Sequence, residues 1–283
     1  MKAIHSLWTK PFFVRGGRDF YMEDFELLTM ILSALVWRKN GGSIKMVTDS
    51  AGAEYFRERE LEPIWDGGIE IALDGVSEKI DPFLFWAGGK LLALDSQPEP
   101  VCMIDTDMIV WRDCSDLEGL DIVAAHREEL MPDVYPDKPY FRMKEGYSFP
   151  DWDWTVLPCN TAFLYIRDME FRDYYVRRSV EFMENLREDS NVVIPMVFAE
   201  QRLLAMCAAE KGLEISTLLR LGHLREQRDV THVWGHKNSL RSDPKIRAEY
   251  CGRCIQRIKR DFPDYAQVLD RIPELLAHLF FME

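Results

Sequence analysis

The chain has 283 residues, 47% hydrophobic and 29% charged, and its 8 Trp and 16 Phe supply apolar volume for one large domain or two small ones. Its 48 acids against 35 Lys and Arg leave a net charge of −13, which argues against nonspecific binding to nucleic acid or anionic membranes. The start MKAIHSLW lacks a signal-peptide core, no run reaches the roughly 18–20 apolar residues of a membrane span, and six Cys lack the spacing of a secreted scaffold, so a cytoplasmic protein with reduced thiols and no transmembrane segment is expected.

Ala3–Leu7 reads as a strand, and Tyr21–Lys39 as a long amphipathic helix closed by Gly41-Gly42. Ser43–Thr48 reads as a second strand, Ala51–Arg59 as a short helix and Ile69–Leu73 as a third strand. Pro82–Leu94 has a helical pattern with Pro in its first turn, and Val101–Ile104 is an apolar strand. Strands alternating with helices at this spacing predict βαβ units and a mostly parallel sheet. His126–Trp154, rich in Pro, aromatics and charge, reads as a long loop beside the site. Thr155–Ile166 is extended, Asp168–Glu188 and Val197–Lys211 are helical, and two more helical patterns cover Pro244–Asp261 and Tyr265–Phe281. No break in composition divides the chain. The expected organisation is one α/β domain over 1–240 with a helical extension, 241–283, packed on it.

The chemistry centres on Val101-Cys102-Met103-Ile104-Asp105-Thr106-Asp107. In extended backbone, positions i and i+2 face the same way, so Asp105 and Asp107 converge where an apolar strand leaves the core. Ligands bind at the carboxyl ends of parallel strands, and two carboxylates there suit Mn²⁺ or Mg²⁺. The same pair also occurs as a solvated turn.

This segment resembles the metal-binding strand end of GT-A glycosyltransferases, in particular the glycogenin-like, family-eight-like bacterial branch. The resemblance extends over most of the chain. Phe85-Trp86-Ala87-Gly88-Gly89-Lys90-Leu91-Leu92-Ala93-Leu94 is similar to the helix preceding the motif, with Lys90 expected near the donor. Pro158-Cys159-Asn160-Thr161-Ala162 resembles the segment whose Asn faces the sugar, with Thr161 and Ala162 standing for Ser and Gly. Ala199-Glu200-Gln201-Arg202 resembles the acidic-Gln pair beside the donor sugar, with Glu in place of Asp; Glu200 and Gln201 are the implied catalytic pair. Thr231-His232-Val233-Trp234-Gly235-His236-Lys237 is similar to the His-x-x-Gly…Lys segment. There His232 would be the third metal ligand after Asp105 and Asp107, while Gly235 and Lys237 would approach the diphosphate. The lysine comes one residue earlier than in the family, and His236 is the alternative ligand. Trp8 and Asp49, at two strand ends, are expected against base and ribose, or else as a core Trp and a helix-start Asp.

The implied fold is therefore α/β of the GT-A, Rossmann-like nucleotide-diphospho-sugar transferase type, with a mixed, mainly parallel sheet. The implied function is a metal-dependent, retaining transfer from a nucleotide-sugar donor, UDP-linked, to an unknown glycan, lipid-linked or protein acceptor. A catalytically silent nucleotide-sugar-binding protein is the alternative. A phosphatase of the haloacid dehalogenase type is weaker, because its Asp-x-Asp strand opens the core whereas about a hundred residues precede this one. Cys251-Gly252-Arg253-Cys254 reads as a helical packing pair, since no second Cys pair completes a zinc set.

Overall fold

The computed structural model describes residues 1–219 and 228–279. The chain runs through β1 (Lys2–Leu7), α1 (Lys10–Val14), α2 (Asp24–Lys39), β2 (Ser43–Thr48), α3 (Ser50–Glu58), β3 (Ile69–Ile71) and α4 (Gly88–Asp95). It continues through β4 (Cys102–Ile104), β5 (Met108–Val110), β6 (Ile122–Arg127), β7 (Cys159–Ile166), α5 (Met169–Asn185), α6 (Ile194–Val197) and α7 (Leu203–Lys211). The last elements are β8 (Ile215–Thr217), β9 (Val230–His232), α8 (Lys237–Ser242), α9 (Pro244–Asp261), α10 (Ala266–Leu269) and α11 (Leu276–Leu279).

Seven strands form one sheet in the order β3-β2-β1-β4-β7-β6-β8. The β1–β2, β1–β4, β2–β3 and β6–β8 pairs are parallel, while β7 runs antiparallel to both neighbours. This is the mixed, mainly parallel α/β sheet expected. Because β7 is reversed, its first residues lie at the edge where β1, β2 and β4 end. A separate ribbon pairs β5 with β9.

The pleat explains both cores. Ala3, Met46, Cys102, Phe163 and Tyr165 face one cluster with α2 and α9, while Ile4, Val47, Met103 and Leu164 face the other with α4, α5 and α7. Both faces are covered, so these strands read as continuous apolar runs.

α2 is not the amphipathic helix expected. It starts at Asp24 rather than Tyr21, and every residue from Leu27 to Trp37 is buried, because it is enclosed on all sides. The pattern over Pro82–Leu94 yields helix only from Gly88, and the preceding residues form turns, with Asp81 accepting the Phe83 amide at 2.8 Å. Gly89 is required there by close approach: a Cβ would stand 2.5 Å from Trp8 Cβ. β5 and β8, three residues each, carry no signal long enough to read, while β6 is a six-residue, mostly apolar strand absent from the expected elements, and it takes the first residues of the expected loop. Val197–Lys211 divides at a π-helical turn, Phe198–Arg202, between α6 and α7. The last pattern divides into α10 and α11, and its end at Phe281 lies outside the described residues.

The described residues of the expected extension, 241–283, pack against α2. Cys251, Cys254, Ile255 and Ile258 of α9, with Leu269, Ile272 and Leu275, are buried in the same core as α2. Among the described residues, no helix is long and apolar enough to cross a membrane.

Candidate metal and donor site

β4 ends at Ile104, and Asp105 follows with its amide donated to the Ala162 carbonyl at 2.8 Å. The chain then turns: Met108 donates to the Asp105 carbonyl at 3.0 Å, placing Thr106 and Asp107 at the tip. The two carboxylates thus converge across a tight turn rather than along extended backbone.

The β5–β9 ribbon brings the C-terminal segment to this turn. Its register sets Met108 opposite His232, and the Val233 amide donates to the Asp107 carbonyl at 3.0 Å. One ligand atom from each of Asp105, Asp107 and His232 falls within a mutual 4.8 Å. His232 Nε2 lies 3.6 Å from Asp107 Oδ1, too far for a hydrogen bond, and this buried nitrogen has no hydrogen-bond partner. His236 is exposed and lies outside that group, on a short turn with the open Gly235 and the 72% exposed Trp234.

Two lysines from different helices neutralise the carboxylates. Lys237, at the start of α8, places Nζ 2.9 Å from Asp107 Oδ2 and 3.8 Å from Glu26. Lys90, in the first turn of α4, lies 2.7 Å from Asp105 Oδ1 and also pairs with Glu200, to which Thr161 donates. Burial opposes the charge on Lys90, but Asp105 and Glu200 outweigh it and raise its pKa. Burial, with Asp107 and Glu200 nearby, raises Asp105 despite Lys90. Burial also opposes ionisation of Asp107, but His232 and Lys237 hold its carboxyl well below the ordinary range. The two neighbouring acids are thus driven in opposite directions, and Asp107 carries the firmer negative charge.

The π turn explains the placement of Glu200 and Gln201. Such a turn inserts an extra residue per helical turn and frequently marks functional sites. Tyr175 donates to the Glu200 carbonyl at 2.5 Å and Tyr135 donates to Gln201 Oε1 at 2.6 Å. Arg202, only 1% exposed, donates to the carbonyls of Tyr135, Pro136 and Trp154, tying the long loop over this turn.

Asn160 sits at the start of β7, with Nδ2 3.3 Å from Glu128 Oε1 and Oδ1 accepting the Ala162 amide at 3.0 Å. The structure therefore gathers Lys90, Asp105, Asp107, Glu200, His232 and Lys237 at one sheet edge. Trp8 and Asp49 are committed inside the protein. Trp8 is 8% exposed against Gly89, while Asp49 caps α3 through the Gly52 amide and accepts from both the backbone and the hydroxyl of Thr9. Glu26, Thr161 and Tyr135 complete the surroundings. Glu26 and Tyr135 have no local sequence signal, since their roles arise from contacts between distant segments.

Residues 1–272 match the sequence profile described as Family of unknown function (DUF6734). No curated protein sequence matches the chain. Among solved structures it is similar to the glycosyltransferase GlyE of Streptococcus pneumoniae TIGR4, at 13% identity and TM-score 0.37 over 83% of this chain and 50% of that one. It is also similar to mouse xyloside xylosyltransferase 1, at 10% identity and TM-score 0.40 over 84% of this chain and 99% of that one. The galactosyltransferase LgtC, solved with donor and acceptor sugar analogues, gives 10% identity and TM-score 0.43 over 89% and 96% of the two chains. The chain spans half the length of the GlyE chain.

Proposed function

We propose that this chain, which belongs to the Family of unknown function (DUF6734), is a metal-dependent glycosyltransferase of the GT-A type acting on a nucleotide-diphosphate sugar. The convergence of Asp105, Asp107 and His232 carries the reading, and the unpartnered His232 Nε2 is its sharpest feature. A buried imidazole nitrogen without a hydrogen bond is costly, and a cation shared with two carboxylates accounts for it. Two carboxylates and an imidazole suit Mn²⁺, with Mg²⁺ as the harder alternative.

A divalent cation bound there supplies Lewis-acid stabilisation of a departing diphosphate. The chain's own part is positioning and charge. Among the described residues, Lys237 and Lys90 are placed to receive phosphate oxygens as negative charge develops on them. Gly235 leaves open space for backbone approach, and Asn160 stands at the same edge for the sugar. We favour UDP as the nucleotide and retention of anomeric configuration, both from the sequence resemblance; the acceptor is a glycan, lipid-linked or protein hydroxyl.

One observation favours the alternative, a nucleotide-sugar binder without turnover. Glu200 is 4% exposed and held by Lys90 and Thr161, while Gln201 is engaged by Tyr135. The implied catalytic pair is thus turned to internal partners. A nucleotide-sugar panel read by thermal shift with and without Mn²⁺, then by release of nucleoside diphosphate, separates the readings. A metal-dependent shift with release supports the enzyme, a shift without release supports the binder, and no shift for any donor contradicts both.

A further inference from the structure

A second group of ligating side chains lies away from the sheet edge. Asp24 opens α2, Cys251 stands within α9 and His278 lies on α11, yet one ligand atom from each falls within a mutual 4.8 Å. Cys251 is fully buried and Asp24 is 9% exposed. The Asp24 carboxylate is already oriented. Oδ1 accepts from Arg247 Nε at 2.7 Å and from the Phe25 amide at 2.6 Å, while Oδ2 lies 2.6 Å from His278 Nε2.

We propose that Asp24, Cys251 and His278 form a zinc-class site that ties α9 and α11 to the start of α2. The donor set selects the metal class. A thiolate excludes Mg²⁺ and Ca²⁺ as fitting occupants, whereas thiolate, imidazole and carboxylate together suit Zn²⁺ in tetrahedral geometry, with water as fourth ligand. Zinc bonds of about 2.0–2.3 Å put the ligand atoms of one ion roughly 3–4 Å apart, so the group needs only a small contraction around the thiol and a small opening of the Asp24–His278 pair. Arg247 then serves as the partner that orients a ligating carboxylate.

Burial, with Asp24 and Cys254 beside it, pushes the Cys251 thiol up, so the metal-free group holds a thiol. On binding, the S–H bond gives way to a zinc–sulfur bond and its proton leaves to solvent. In the bound state the His278 imidazole presents the Nε2 lone pair to the metal and keeps its one proton on Nδ1, and any proton on Nε2 leaves to solvent with that of the thiol. The pair of cysteines in α9 therefore divides its work: Cys251 ligates, while Cys254 packs. Three distant parts of the chain supply the set, which is why no spacing of cysteines reveals it.

The test is a Co²⁺ titration of the metal-free full chain carrying Asp105→Asn and Asp107→Asn, so that the sheet-edge group does not compete. The expected result is one tightly bound Co²⁺ with a near-ultraviolet thiolate-to-cobalt charge-transfer band, displaced by Zn²⁺. In the same background, Zn²⁺ should raise the melting temperature by about 5 °C or more. Adding His278→Gln should weaken Co²⁺ binding at least tenfold, and adding Cys251→Ser should abolish the band. A chain that binds Co²⁺ without the band, or keeps it in Cys251→Ser, overturns the site. So does a chain that binds none, leaving Asp24 and His278 as a hydrogen-bonded pair beside an inert thiol.

Discussion

His232 and Asp107 are brought face to face by the backbone of a two-stranded ribbon, with Nε2 3.6 Å from Oδ1 and the Val233 amide donating to the Asp107 carbonyl at 3.0 Å. The ribbon's ladder does not depend on the imidazole, so the side chain can be removed without moving Asp107. His232→Ala should keep the melting temperature within about 2 °C and weaken Mn²⁺ binding at least tenfold by calorimetry. Unchanged Mn²⁺ affinity would remove His232 from the ligand set.

Asp107→Asn should abolish sugar transfer in a chain that still folds, at a cost of about 1–3 kcal/mol in urea unfolding, because the amide loses the contacts that hold the Asp107 carboxyl low. It loses the 2.9 Å contact with Lys237 but relieves the repulsion from Asp105. Transfer by the variant at the wild-type rate would show that Asp107 holds no metal.

Lys90 stands between two acids, and Glu200 is nearly inaccessible to water. Lys90→Met should destabilise the protein by about 3–5 kcal/mol in urea unfolding, because it leaves buried carboxylates uncompensated. Adding Glu200→Gln should restore at least half of the loss, a coupling expected of contacting residues. A loss under about 1 kcal/mol in the single variant would mean that the three groups are not linked.

The legible parts of the molecule are those whose signals are local. β1 and β2 show as apolar runs bounded by polar residues, and α9 shows as a capped helix after Asp243. The Asp105/Asp107 pair was readable because it follows a buried strand. Its geometry was not, since the turn is set by the Met108 amide rather than by strand pleat. The short strands β5 and β8 are stabilised by pairing with distant segments, which three residues of sequence do not advertise. Asp49 could be read as a ligand contact or a helix cap, and its bonds to Thr9 and Gly52 show it capping α3. The Lys90–Glu200–Thr161 cluster joins three elements, and only the fold assembles it.

His5 connects the buried centre to the metal turn. Trp65 Nε1 donates to His5 Nδ1 at 3.2 Å, His5 Nε2 meets Ser33 Oγ at 3.1 Å, and Ser33 donates to the Met108 carbonyl at 2.6 Å. Burial lowers the His5 pKa to about 3. The unfolded chain, with an ordinary value near 6.5, therefore binds this proton more readily, so the stabilisation is complete above about pH 6.5 and declines as pH falls toward 3. Relative to His5→Gln, wild-type stability should drop by at most about 1.4 kcal/mol per pH unit between about pH 6 and 4. Parallel stability curves for the two proteins would contradict a neutral, buried His5.

Gly89→Ala should destabilise by about 1–3 kcal/mol, since the new methyl meets Trp8 Cβ at 2.5 Å in a filled core. Chemical denaturation measures this directly. A stabilised variant would mean that helix propensity outweighs the close approach of α4 to Trp8.

The central claim is that Asp105, Asp107 and His232 hold a cation through which a nucleotide diphosphate is bound. Calorimetry of UDP binding to the full chain, with Mn²⁺ and then with EDTA, tests it most directly. Metal-dependent binding at least tenfold tighter with Mn²⁺, and lost in Asp107→Asn, is the result predicted. Equal UDP affinity in EDTA, or no UDP binding with Mn²⁺ present, would contradict it.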